Sequence, residues 1–224
     1  MVDLKLQLSP DHNKDIIKYL KETPGDYLEI GCFNGTLIQQ LAKTFPQKNI
    51  YGIDPFISDK YTNRYDISDA KENLYNNIKD INNITFWEST THDCLKTHKY
   101  KKLSNISCIL IDGAHDFKNV MIDIEFILKI KNKHDIFIIF DDMHIGDVIK
   151  ATNAFKKLFK SRIKKQWFHN EDKYPFKDII NEVIINIHKI NPVFFKSFND
   201  AGVWDNMDIL QPFKKHMHNM FIIS

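Results

Sequence analysis

Five short runs of β-branched and aromatic residues, each followed by an amphipathic stretch, restrict what this chain can fold into. The runs are Tyr27–Ile30, Ile50–Ile53, Ile84–Trp87, Cys108–Ile111 and Ile136–Phe140. The stretches that follow them are Thr36–Phe45, Ser68–Ile78, Thr91–Lys99, Lys118–Ile130 and Asp147–Phe159. A strand with one wet face alternates apolar and polar residues, whereas these runs are almost continuously apolar, so both faces must be covered. The intervening helices supply that cover and the crossover length that parallel pairing needs. The pattern predicts an α/β fold built on a doubly wound, mostly parallel sheet. Ahead of it, Ser9-Pro10-Asp11 reads as a helix start, Ile16, Ile17, Tyr19 and Leu20 as its apolar stripe, and Pro24-Gly25 as its end.

The C-terminal part is patterned more loosely. Asp178–Ile190 spaces Ile179, Val183, Ile187 and Ile190 as a helix would, yet its isoleucine content equally suits a strand. Val193–Phe198 and Val203-Trp204 flank the turn-like Asn199–Gly202, which predicts a hairpin. We expect an antiparallel C-terminal hairpin at the edge of the sheet. At 224 residues the chain suits one domain, 1–224, with an N-terminal helix 10–22, a core 27–160 and a C-terminal hairpin and tail 161–224.

Composition narrows the function classes. A net charge of +2 gives no strong field toward nucleic acid or an anionic membrane. Three cysteines are too few for a disulfide framework or a zinc site, which suits a reducing compartment. No signal peptide is visible, and no apolar run approaches the ~20 residues of a membrane helix. The expectation is a cytoplasmic protein that acts on a small molecule, without nucleic-acid or membrane partners and with homo-oligomerisation left open.

The turn Glu29-Ile30-Gly31-Cys32-Phe33-Asn34-Gly35 joins the first strand to its helix and holds two of the seven glycines. Glycines there let the backbone bend and let a ligand approach main-chain atoms closely. The Glu29 carboxylate can accept hydrogen bonds from a bound ammonium group or from water beside a cofactor. A dinucleotide site wants G-x-G-x-x-G with a pyrophosphate on the helix N-terminus. Here the middle glycine is absent, and Phe33 and Asn34 would crowd a pyrophosphate. S-adenosylmethionine, which has no phosphate, fits better. Asp54, about twenty residues on at the end of the second strand, can grip both ribose hydroxyls.

Two further strand ends carry acids, Asp112-Gly113-Ala114-His115 and Asp141-Asp142-Met143-His144. Ligands of a parallel sheet sit outside the carboxyl ends of its strands. Neighbouring strands lie under ~5 Å apart, so Asp112, Asp141 and Asp142 can converge. Such crowding raises carboxylate pKa values, and a cation such as Mg²⁺ relieves it. The same residues also read as polar strand ends facing water, with Asp141 capping the next helix.

The segment from Tyr27 to Phe56 resembles the class I S-adenosylmethionine-dependent methyltransferases, with a Rossmann-like sheet. Within them it is most similar to the macrocin-type sugar O-methyltransferases and, more distantly, the catechol O-methyltransferases. The resemblance covers roughly Tyr27 to Phe159. It implies cofactor contacts from Glu29, Gly31, Phe33, Gly35, Asp54 and Asp112, with Glu88-Ser89 beside the adenine. It also implies Mg²⁺ on Asp112, Asp141 and Asp142, acting as a Lewis acid on the acceptor hydroxyl. His115 falls where the catechol-type enzymes carry a lysine base, and His144 near a histidine of the sugar-methylating group. Either imidazole can take the acceptor proton. The implied activity is methyl transfer to a hydroxyl of a small molecule, in the first place a sugar or sugar conjugate. The alternatives are a metal-independent N-methyltransferase and a catalytically silent nucleotide-binding module.

Overall fold

A computed structural model describes residues 10–58, 66–132, 135–143, 145–160, 163–170, 184–185 and 217–223. After α1 (Pro10–Glu22), strands and helices alternate: β1 (Asp26–Ile30), α2 (Thr36–Thr44), β2 (Ile50–Ile53), α3 (Ile67–Ile78), β3 (Ile84–Trp87) and α4 (Thr91–Lys96). Then come β4 (Ile106–Ile111), α5 (Phe117–Lys129), β5 (Ile136–Phe140) and α6 (Gly146–Phe159). Three strands complete the sheet: β6 (Ile163–Asn170), the two-residue β7 (Ile184–Ile185) and β8 (Met217–Ile223).

The sheet order is β3-β2-β1-β4-β5-β8-β6, with β7 joining β8 off this path. β1 to β5 all pair in parallel, as their apolar sequences require. The chain winds outward from β1 to β3, then returns to lay β4 on the other side of β1. That reversal leaves a crevice at the carboxyl ends of β1 and β4, where ligands of such sheets bind. Side chains on alternate strand positions feed two cores. Tyr27, Cys108, Leu110, Phe137 and Ile139 pack with Ile16, Leu20, Leu41 and Leu74, on the face of α1, α2 and α3. Leu28, Ile109, Ile111, Ile138 and Phe140 pack with Ile124, Ile127 and Phe155, on the face of α5 and α6.

Helix starts follow their caps. Asp66 accepts from the amides of Ser68 and Asp69, Thr90 from that of Asp93, and Asp116 from that of Asn119. The expected stretch Thr91–Lys99 is divided. α4 stops at Lys96, His98 takes the left-handed conformation (φ 55°), and a short 3₁₀ turn covers Lys99–Lys102.

Antiparallel strands close the sheet beside β5, but they are β8 and β6, from residues far apart in sequence. The expected hairpin over 193–204 lies outside the described residues. Of the ambiguous segment 178–190, only Ile184–Ile185 are described, and they form a strand.

Phe155 is fully buried, with its ring 5.4 Å from that of Phe140 and 5.1 Å from that of Phe159. Truncation there removes apolar contact and leaves a cavity. Phe155→Ala should cost about 3–5 kcal/mol of unfolding free energy, measured by urea denaturation.

Candidate active site

The turn after β1 is shaped first by its neighbours. Gly31 has φ +88°, and a Cβ built on it would stand 2.1 Å from the Asp112 carbonyl oxygen. No larger residue fits, because the end of β4 runs directly against it. Gly35, with φ +72°, faces Leu74 of α3 in the same way, a Cβ falling 2.9 Å from its Cγ. Between them Phe33 also takes a positive φ of 46°. Asn34 fixes the helix start, its Oδ1 accepting from the Thr36 amide at 3.1 Å and the Thr36 hydroxyl at 2.7 Å.

Asp54 locks this turn to the end of β2. Its Oδ2 accepts from the amides of Cys32 and Phe33, both at 2.8 Å, and its Oδ1 from the amide of Phe56 at 2.7 Å. Burial pushes this carboxyl up and outweighs the three amides, which pull it down. A carboxylate has about four lone-pair sites, so three amides leave it little further accepting capacity. Its first task is structural.

Glu29 is buried on the α1–α2 face, where its Oε2 accepts from the Tyr27 hydroxyl at 3.0 Å. Burial pushes it up to about 8, against the opposing effect of that bond and with a smaller contribution from Asp54. Glu88, expected beside the adenine, reaches to α3. It accepts from Lys71 Nζ at 2.5 Å and the Tyr75 hydroxyl at 2.7 Å, and these two bonds hold it below the ordinary carboxylate range. Ser89 sits against the end of β2, its amide donating to the Asp54 carbonyl at 3.2 Å.

The acidic strand ends lie side by side. The Asp112 amide donates to the Ile30 carbonyl and the Asp141 amide to the Ile111 carbonyl, so β1, β4 and β5 end together. Asp112 is raised well above the ordinary carboxylate value by burial first, then by Asp141 and Asp142. Asp142 has a positive φ of 53°, which turns it out of the strand line. Its Oδ2 lies 2.7 Å from Nε2 of the buried His115, and its amide donates to Asp141 Oδ1 at 2.6 Å. His144 lies outside the described residues.

Among the described residues no three His, Cys, Asp or Glu side chains gather as a set that could hold a metal ion. Asp142 is engaged by the imidazole and Asp141 by its neighbour's amide. The Mg²⁺ site that the sequence suggests thus finds no support among the described residues.

Asp123 is among the buried acids that the sequence reading passed over. Asp123 of α5 accepts from the Thr91 hydroxyl at 2.5 Å and from the Ala114 amide, and burial pushes it up to about 7. Its signal was a lone carboxylate in the apolar stripe Val120, Ile124, Ile127. It ties the start of α4 to the loop that carries His115.

No protein-family model and no curated protein sequence matches the chain. Among solved structures, a Staphylococcus aureus protein described as a caffeoyl-CoA O-methyltransferase is 14% identical. That likeness covers 74% of this chain and 80% of the other, with a TM-score of 0.53. The precorrin-6y C5,15-methyltransferase of Geobacter metallireducens is 10% identical over 98% of this chain and 90% of the other, also with a TM-score of 0.53. The chain has the fold of the class I S-adenosylmethionine-dependent methyltransferases.

Two outcomes follow from the carboxylates. Asp54→Ala strands three amides at about 1–3 kcal/mol each, and should lower stability by several kcal/mol in a denaturant titration. For Glu29, the native state keeps its proton up to about pH 8 while the unfolded chain loses it near 4.5. Between those values the native state binds more protons, so this group's contribution to stability falls as pH rises. Glu29→Gln should flatten that fall, and melting scans from pH 5 to 8 should show the variant gaining on the wild type as pH increases.

Proposed function

We propose that this protein transfers the methyl group of S-adenosylmethionine to a hydroxyl oxygen of a small molecule, in the first place a sugar or sugar conjugate. The observation that carries this reading is the juxtaposition at one end of the sheet. The Gly31–Gly35 turn, pinned by Asp54, ends beside the strand ends that bear Asp112 and the Asp142–His115 pair. A nucleoside-binding turn and a proton-accepting pair share that crevice. The sugar is inferred from the sequence resemblance of residues 27–159.

In the proposed reaction the acceptor oxygen attacks the sulfonium methyl. An O–C bond forms as the C–S bond breaks, the C–S electron pair returns to sulfur, and the acceptor proton passes to His115. The Asp142 carboxylate orients the imidazole and stabilises the imidazolium formed. Alignment of oxygen, methyl and sulfur supplies much of the rate. The proton route runs through His115 because its imidazole pairs with Asp142 at 2.7 Å beside the cofactor turn.

Calorimetric titration should give binding of S-adenosylmethionine and its demethylated product, S-adenosylhomocysteine, and none of NAD. With an accepting sugar found by screening, His115→Ala should lower turnover by ~10²–10⁴-fold with product affinity held. A larger loss in His144→Ala would make that histidine the base. Turnover should persist in EDTA. Loss in EDTA with recovery on added Mg²⁺ would return Asp112, Asp141 and Asp142 to the role of metal ligands. Binding of NAD in preference to S-adenosylmethionine would overturn the reading altogether.

A further inference from the structure

Asn13 of α1 is a buried polar side chain. It is 5% exposed, and neither its Oδ1 nor its Nδ2 finds a hydrogen-bond partner among the described residues. Burying an amide without partners is costly, and such groups are rare in native proteins. Its position on the helix is equally unusual. Asn13 stands three, four and seven residues before Ile16, Ile17 and Leu20, so it shares the stripe that faces the sheet.

Two contacts fix its height along the strands. At the C-terminal end of α1, the Thr23 hydroxyl meets that of Ser107, the second residue of β4, at 2.9 Å. From Thr23 to Asn13 the helix climbs ~15 Å at about 1.5 Å per residue. β4 covers the same height in between four and five residues at ~3.3 Å each, which brings it to Ile111 and Asp112. Independently, the Tyr19 ring lies 4.9 Å from that of Phe137 in β5. Six residues of helix, ~9 Å, correspond to about three of strand and reach Phe140, just before Asp141. Both routes end at the carboxyl edge of the sheet. Asp112 stands two residues beyond Leu110, whose side chain packs on the α1 face, so strand alternation sends Asp112 to the same side as Asn13.

We propose that the Asn13 carboxamide binds the amino-acid end of S-adenosylmethionine, its oxygen accepting from the ammonium group and its nitrogen donating to the carboxylate. This rests on the methyl-donor reading given under Proposed function. A carboxamide offers an acceptor and a donor about one atom apart, and a zwitterionic amino acid presents the complementary pair. The unpartnered amide is then a site kept ready for a ligand, and its cost in the empty protein is recovered on binding.

The test compares two probes by calorimetry on the full chain: S-adenosylhomocysteine and 5′-methylthioadenosine, which lacks the amino-acid end. Wild type should bind the first more tightly. Asn13→Leu should weaken S-adenosylhomocysteine about ten-fold or more, as loss of hydrogen bonds to charged groups does, and leave 5′-methylthioadenosine within about two-fold. Its melting temperature should hold or rise, because an unpartnered amide leaves the interior. Asn13→Asp keeps an acceptor but sets a negative charge against the ligand carboxylate, and should lose at least as much. Unchanged S-adenosylhomocysteine affinity in both variants overturns the proposal. So does an equal loss for both probes with a lowered melting temperature, which would mark Asn13 as structural. Wild-type protein that binds neither probe refutes the methyl-donor reading itself, an outcome distinct from either of these.

Discussion

The carboxylate of Asp54 is the fixed point around which the site is assembled. Three backbone amides from two separate turns donate to it, so the loop after β1 and the loop after β2 cannot move independently. Hydrogen bonds to a charged acceptor are the stronger kind, about 1.5–3 kcal/mol each. The rest of the crevice is packed onto that lock. Gly31 abuts the carbonyl of Asp112, which carries the end of β4, and the end of β5 follows through the bond from Asp141 to Ile111. A shift at Asp54 would therefore be transmitted across four neighbouring strands.

The same edge is crowded with acids. Glu29, Asp54 and Asp112 are all raised above ordinary carboxylate values, with burial the first cause in each case. A ligand that brings positive charge into such a low-dielectric crevice favours the ionised form of these groups and is attracted to it. For the proposed cofactor this has a direction. S-adenosylmethionine carries a sulfonium cation, and methyl transfer leaves a neutral thioether. The electrostatic attraction is thus present before the reaction and gone afterwards, which favours exchange of product for fresh cofactor.

Much of this was legible in the sequence, for identifiable reasons. The five parallel strands declared themselves because doubly covered strands need uninterrupted apolar runs, whereas the caps Asp66, Thr90 and Asp116 emerged only with the structure. The turn at Gly31–Gly35 was legible because glycines are scarce in this chain. What stayed hidden depended on partners distant in sequence. The bonds that hold Glu88 to Lys71 and Tyr75 of α3 could not be read from the sequence. Nor could it be read there that the neighbouring strand by itself forbids a side chain at Gly31. Asn13 and Asp123 drew no reading from the sequence, since no periodicity distinguishes a satisfied buried group from an orphan. The C-terminal strands were missed for a related reason. β6 and β8 draw their identity from pairing with each other and with β5, not from a local pattern.

The slot taken by β8 has a consequence for how the molecule is made. β8 lies between β5 and β6, although it comes some fifty residues after β6 in the chain (217 against 163–170). During synthesis, the first five strands can form their parallel sheet while one flank of β5 still lacks its neighbour. An unpaired flank made of Ile136, Phe137, Ile138, Ile139 and Phe140 is the kind of edge that invites pairing with other chains. Only when residues 217–223 have left the ribosome can that edge be sealed. The nascent chain is thus most exposed to misassembly in the interval between the emergence of β5 and that of β8.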